Sequence, residues 1–272
     1  MDANQARQLF YQTVNQPDEQ IDLARAALYI ALEEEPTLDP EEYINALDVM
    51  AEEVMERLPD GRYPLRIIQT INEYLYKDLG FKGNQVDYYD PRNSFLNQVI
   101  ERRTGIPISL SLVYLEIARR IDFPMLGVGM PGHFLIRPNI ADTDIFVDAF
   151  NQGEILFSQD CFTKLTEIYG QPVPLRPEFL APISPRKFLA RMLSNLKIIY
   201  INQENVTGTL AAIERILLLY PDALSEMRDR GMIYYQLGRW TEARLDLENY
   251  LTNLPNSEDS GIIRKLLALM QP

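Results

Sequence analysis

The chain has 272 residues, 46% of them hydrophobic and 24% charged, with one Cys, one His and a formal net charge of −13. That length fits two modest domains, and a lone Cys excludes an internal disulfide and, with a single His, a standard zinc site. No run approaches the ~18 apolar residues of a membrane helix. The opening MDANQARQLF has neither a basic n-region nor an apolar h-region, so a cytoplasmic protein with no membrane partner and no cofactor is expected.

The charge is unevenly placed. Residues 1–60 carry 15 acidic side chains against Arg7, Arg25 and Arg57, which puts −12 of the −13 in that third. Such a surface repels nucleic-acid phosphate, so no nucleic-acid partner is expected. It reads either as solvated helix faces or as a docking face for a basic partner. The spacing predicts a helix over Ile21–Glu35, with Ile21, Ala24, Leu28 and Leu32 on one face and Pro36 ending it. Asp39-Pro40-Glu41-Glu42 supplies an N-cap, a proline at the first position and acids in the first turn. An apolar stripe of Tyr43, Leu47, Met50, Val54 and Leu58 follows. A further helix is predicted over Pro64–Asp78, with Ile67, Ile68, Ile71 and Leu75 inward, and then a loop at Gly80–Asn84.

Asp90-Pro91-Arg92-Asn93 reads as a turn capping a helix over Ser94–Arg102. A Gly105-Ile106-Pro107 turn then opens a helix from about Ser109 to Arg120, which Phe123-Pro124 stops. Three β-rich segments follow: Met125–Met130, His133–Arg137 and Asp144–Ala149. The single His starts the second, and Asp148 closes the third. After a turn at Asn151–Gly153 come a short strand at Glu154–Phe157 and a helix at Asp160–Tyr169. Recurrent prolines between Gln171 and Pro185 mark a stiff extended linker and the domain boundary.

Beyond the linker, Gly231, Tyr234, Gly238, Ala243, Leu247 and Pro255 fall at tetratricopeptide positions, and Tyr200 and Pro221 precede Tyr234 and Pro255 by 34 residues. Met227 and Arg230 depart from the motif. Helices are predicted at Pro185–Asn202, Val206–Tyr220, Ala223–Leu237, Thr241–Leu254 and Ser257–Met270. Such an array either presents a concave face to a peptide or protein partner or only caps its neighbour.

A helix N-terminus, then a strand with His, then a strand with Asp resembles the core of the transglutaminase-like (papain-related) superfamily. The match runs through Gly105-Ile106, Asp122-Phe123-Pro124, His133-Phe134-Leu135-Ile136 and Phe146-Val147-Asp148. The particular form, DPRN followed by RxGIPISLSLVYLEIARR and PGHFLI, resembles the SirB-type family, a transglutaminase-like domain followed by tetratricopeptide-like helices. The resemblance implies an α+β fold: a helical N-terminal region packed on a transglutaminase-like α/β core over 1–180, then an all-α array over 186–272. It further implies a groove in front of His133, with Asp90, Arg92 and Asn93 on its rim.

In that superfamily a Cys at the helix start attacks, with His as base and Asp as its orienter. Here the position holds Pro107, which has no nucleophilic atom. Cys161 lies after the Asp and reads as a buried or half-buried bystander. Ser109 and Ser111 remain as candidate nucleophiles for His133 and Asp148, although Ser109 sits near the helix cap, where backbone N–H groups occupy its oxygen. Two readings follow: a non-catalytic protein-binding scaffold or regulator with a degenerate domain, or a hydrolase or acyltransferase using Ser109 or Ser111. The missing Cys favours the first.

Overall fold

The computed structural model describes residues 2–141, 143–174 and 176–270. The chain divides into two compact units, 1–192 and 193–272. Unit 1 opens with α1 (Ala3–Val14), which the sequence announces only weakly because its buried stripe is only Ala6, Phe10 and Val14. Asp2 caps it reciprocally with Gln5. Next come α2 (Leu23–Glu34), capped by Asp22, and α3 (Pro40–Arg57), capped by Asp39 with Pro40 at its first position. The buried stripe of α3 is Tyr43, Leu47, Ala51 and Val54, so Ala51 takes the inward place expected of Met50.

Helix α4 (Pro64–Asn72) continues into a π-helical turn over Glu73–Asp78. A two-residue strand β1 (Lys82–Gly83) pairs in parallel with β2 (Thr104–Gly105), and α5 (Leu96–Arg102) lies between them. The central element is α6 (Pro107–Arg120). It starts two residues before the predicted position because Pro107, with its fixed φ and absent N–H, takes the first helical place. Every residue from Pro107 to Ala118 is buried. Helices α2, α3 and α5 pack against it, as do the first two strands of the sheet.

That sheet is an antiparallel meander of β3 (Met125–Val128), β4 (Leu135–Pro138), β5 (Phe146–Asp148) and β6 (Glu154–Leu156), in that spatial order. Register is set by Val128 opposite Leu135, Ile136 opposite Val147, and Asp148 opposite Glu154. His133 does not start a strand. Pro131 and Gly132, the latter at φ +73°, fold a tight turn in which the His133 N–H donates to the Met130 carbonyl, so the ladder begins only at Leu135. Helix α7 (Ser158–Tyr169) follows. The proline-rich segment after it is docked rather than free. Pro182 bridges Val128, the Ile183 N–H donates to the Gly127 carbonyl, and Val173, Phe179 and Leu180 pack on a core of Val128, Leu135, Phe146 and Leu165. It thereby covers the exposed edge of β3.

The division between the units falls inside α8 (Pro185–Asn202). Unit 2 continues with α9 (Val206–Leu219), α10 (Leu224–Gln236), α11 (Trp240–Asn253) and α12 (Ser260–Leu269). Gly231 lets α10 and α11 approach closely: a Cβ there would stand 2.8 Å from Leu247 Cγ. Ala243 is fully buried in the same hairpin. The departure at Arg230 has a partner that explains it, since its guanidinium forks onto the buried carboxylate of Asp246 at 2.7 and 2.8 Å.

Candidate functional site

Asp148 is the centre of the site in unit 1. It ends β5 at the point where the chain turns, and its side chain is fully buried. One carboxylate oxygen takes the Phe150 and Asn151 backbone N–H groups at 3.1 and 3.3 Å, which caps the short helical turn Ala149–Asn151. The other meets His133 Nε2, Asn151 Nδ2 and Lys164 Nζ, each at 2.8 Å. Burial alone would raise this carboxyl, but the bonds and charge of His133, Lys164 and Asn151 outweigh it and hold the pKa well below the usual range.

The two residues expected to meet, His133 and Asp148, therefore do. Two others that complete the arrangement carried no sequence signal. Lys164 comes from α7, and only its distance of one and a half turns from the helix start aims it back at Asp148. Its ammonium also reaches Glu154 at 3.3 Å. Asn151 sits in what reads as an ordinary turn. Lys164 matters chemically, because a fixed ammonium on the same oxygen as the imidazole already neutralises the carboxylate that would otherwise stabilise an imidazolium.

His133 is about 10% exposed at its side chain. Its ring meets Phe150 edge-on at 6.2 Å, and Phe150 in turn meets Tyr88 at 6.1 Å. Arg191, near the start of α8, donates from Nη2 to the carbonyls of Met130 and His133 at 2.9 and 2.6 Å, and so fixes the turn that carries the imidazole. Behind the site lies the π-helical turn. The Tyr76 hydroxyl is buried there without a hydrogen-bond partner, and burial together with the nearby Asp148 charge pushes its pKa far up. The turn is pinned by Asn72, which donates to the Gly153 carbonyl at 2.7 Å and accepts from the Tyr114 hydroxyl at 3.1 Å. Gly153 has φ +73°, and a Cβ on it would strike Asn72 at 2.1 Å. π-turns often mark functional places.

The candidate nucleophiles fall elsewhere. Pro107 occupies the first position of α6. Ser109 is the third residue of the helix, not its cap, and is fully buried. Its Oγ accepts from the Ile106 N–H at 3.1 Å and donates to the Asn93 carbonyl at 2.5 Å, so its hydrogen-bonding capacity ties two backbone segments together. Ser111 is also fully buried, and its hydroxyl has no partner. Among the described residues neither hydroxyl is hydrogen-bonded to His133. Cys161 lies in the first turn of α7, with no exposure, and burial pushes its thiol up to about 12.

The expected rim residues form one polar network. Asp90 accepts from the Arg92 backbone and guanidinium and pairs with Arg102 at 3.4 Å. Asn93 is fully buried; it donates to the Asp87 carbonyl at 2.7 Å and accepts from Asn84 at 3.1 Å. Arg92 alone of the three is largely exposed, at 60% of its side chain. This network ties the loop carrying Tyr88 and Tyr89 to the start of α6.

Unit 2 has a concavity of its own. A groove of about 620 Å³ is lined by Ile201, Val206, Ile213, Met232, Ile233 and Ile262, with Lys197 and Arg228 among the charged groups at its edge. Lys197 is held by Glu226 and Asp229, and Arg228 by Asp229 and Asp259. Ile201 and Ile262 are 51% and 60% exposed, which leaves an apolar floor open. Among the described residues no three of His, Cys, Asp and Glu converge as metal ligands, and no helix is long and apolar enough to cross a membrane.

Residues 41–194 match the transglutaminase-like superfamily, and residues 196–268 match the tetratricopeptide repeat. A UPF0162 protein of Xylella fastidiosa (strain 9a5c) is 38% identical over 91% of this chain and 89% of its own length. F-box only protein 21 of Mus musculus is 34% identical over 65% of this chain and 29% of its own. Among solved structures, a crystal structure of menin that reveals its binding site for the Mixed Lineage Leukemia protein covers 92% of this chain and 69% of its own at 12% identity, with a TM-score of 0.43.

Proposed function

The chain belongs to the transglutaminase-like superfamily, with tetratricopeptide repeats after the transglutaminase-like domain, and on that premise we propose that it is a non-catalytic, SirB-type protein-binding scaffold or regulator. The observation that carries this reading is the start of α6, where Pro107 stands in place of a nucleophile. Two further features support it. Ser109 spends its hydroxyl on the backbone, and Lys164 neutralises the aspartate that would assist His133. Unit 2 contributes the open apolar groove, and tetratricopeptide repeats generally mediate protein–protein contact. The proposal includes a cytoplasmic location and a peptide or protein segment as partner, with Asp90, Arg92 and Asn93 organising the loop beside His133.

Peptides selected by display on the intact chain test this. Their affinity, read by fluorescence anisotropy, is expected to survive His133→Ala and to fall at least tenfold with Ile262→Asp, which places a charge on the apolar floor. Peptides that are cleaved or acylated by the wild-type chain, but not by His133→Ala, would contradict the reading.

A further inference from the structure

Arg191 is a cation without an anion. It is half-buried, its Nη2 spends its hydrogens on the Met130 and His133 carbonyls, and no carboxylate among the described residues pairs with it. The charged or titratable groups that feel it are two tyrosines, Tyr88 and Tyr169, and burial lowers its pKa. Two other half-buried cations of unit 1 have carboxylate partners: Lys164 has Asp148 and Glu154, and Arg186 has Asp18. A guanidinium removed from water without a counter-charge is costly and stands ready to receive one.

The surroundings suit a ligand. Tyr88 is 37% exposed on the loop before α5 and joins His133 through Phe150, and Tyr169 is 49% exposed at the end of α7, next to Ile168, which packs on Gly132, so aromatic surface flanks the turn that Arg191 holds from two separate elements. The backbone packs closely there, since a Cβ on Gly129 would come within 3.1 Å of Nη1 and one on Gly132 within 2.6 Å of Ile168. The turn that Arg191 holds is the one that carries His133. Aromatic faces around a desolvated arginine are the composition of an interface hot spot.

We propose that Arg191, Tyr88 and Tyr169 form a recognition site on unit 1 for an acidic side chain, glutamate or aspartate, of a peptide segment laid across the mouth of His133. With Nη2 engaged on the two carbonyls, the guanidinium offers Nη1, and its single charge matches one carboxylate, whereas a phosphate group usually draws more than one cation. Aromatic surface on two elements suits a chain that continues past the acid, so the acid is internal and not a C-terminus. Because the protein carries −13 overall, the attraction is local and not a matter of long-range steering. This inference deepens the scaffold reading and rests on it for the absence of turnover.

His133 is the chain's single histidine, so its ring C–H signals in NMR report this site without ambiguity. The full chain is titrated with acetyl-Leu-Glu-Leu-amide, with its glutamine twin, and with acetyl-Leu-Gly-Leu bearing a free C-terminus. The glutamate peptide is expected to shift the His133 signals saturably and to bind at least tenfold more tightly than the other two. Arg191→Met should abolish that preference. Should this variant not fold, Tyr169→Glu against Tyr169→Gln decides: the glutamate variant supplies its own carboxylate and should bind the acidic peptide at least fivefold more weakly than the glutamine variant, at equal melting temperature. Equal binding of the glutamate and glutamine peptides would overturn the proposal, as would preference for the free C-terminus, or a retained preference in folded Arg191→Met. Cleavage of a bound glutamate peptide would instead sink the scaffold reading and leave the site standing.

Discussion

Asp148 in unit 1 and Asp246 in unit 2 are both buried aspartates, and they are neutralised in opposite ways. Asp246 meets one arginine through a two-bond fork between neighbouring helices, and that arginine is still 26% exposed. Asp148 gathers five donors: the side chains of His133, Asn151 and Lys164 and two backbone N–H groups. Removing Asp246 leaves a guanidinium that can turn to water. Removing Asp148 orphans groups from three elements at once. The first is a clamp between repeat helices, and the second is a hub on which the geometry around His133 depends.

The largest effect should therefore come from Asp148→Ala. Breaking a buried ion pair by deleting one partner costs about 3–5 kcal/mol, and denaturant midpoints should show this for Asp148→Ala and a clearly smaller loss for Asp246→Ala. Equal losses would erase the distinction. The same group sets a pH dependence. Its folded pKa lies below the unfolded one, so its contribution is fully present above the unfolded value of about 4 and is lost as pH falls through that value toward the folded one. Stability measured from about pH 5 downward should fall less steeply in Asp148→Asn than in the wild type. Parallel curves would show that another carboxylate carries the acid transition.

Glycines sharpen the comparison at the next level. Gly153→Ala meets Asn72 and also demands a left-handed residue, for about 1–3 kcal/mol of overpacking and roughly 1–2 more of backbone strain. In unit 2, Gly231→Ala pushes on Leu247, and overpacking of about 1–3 kcal/mol there outweighs a helix-propensity gain of up to about 1 kcal/mol. Gly261, in α12, has nothing within 4 Å of an added Cβ, so Gly261→Ala should raise the melting temperature. A stabilising Gly231→Ala would reject the close approach of α10 and α11.

The serines give the smallest and most discriminating pair. Ser109→Ala orphans the buried Asn93 carbonyl and Ile106 N–H and should cost about 1–2 kcal/mol. Ser111→Ala deletes a buried hydroxyl that has no partner, so the melting temperature should stay or rise. The reverse order would mean that Ser111, not Ser109, is the bonded hydroxyl.

The long amphipathic helices and the repeat array were legible in the sequence, because each element declares itself locally. Asp39-Pro40 announces α3, and the 34-residue spacing announces unit 2. His133 and Asp148 could be paired because strand order brings them together. What stayed hidden depends on side chains whose meaning appears only across space. Lys164 looks like any helix lysine, and Arg191 like the first turns of a repeat helix. The π-turn at Glu73–Asp78 has no sequence signature, so it read as plain helix. Ser109 lies near the helix start with its oxygen on a backbone N–H, as expected, but two residues further in, because Pro107 is the first helical residue and not part of the turn. The proline-rich segment read as a spacer because nothing local says that Pro182 and Ile183 complete a sheet edge.

Whether unit 1 is non-catalytic, as proposed, is read by intact-protein mass spectrometry after treatment with a fluorophosphonate and, separately, with iodoacetamide. No adduct is expected on the folded chain with either reagent, because Ser109 and Ser111 are fully buried and Cys161 is buried with its thiol protonated at neutral pH; thiol labelling should appear only on unfolding. A fluorophosphonate adduct that vanishes with Ser109→Ala or Ser111→Ala and weakens with His133→Ala would contradict the non-catalytic reading.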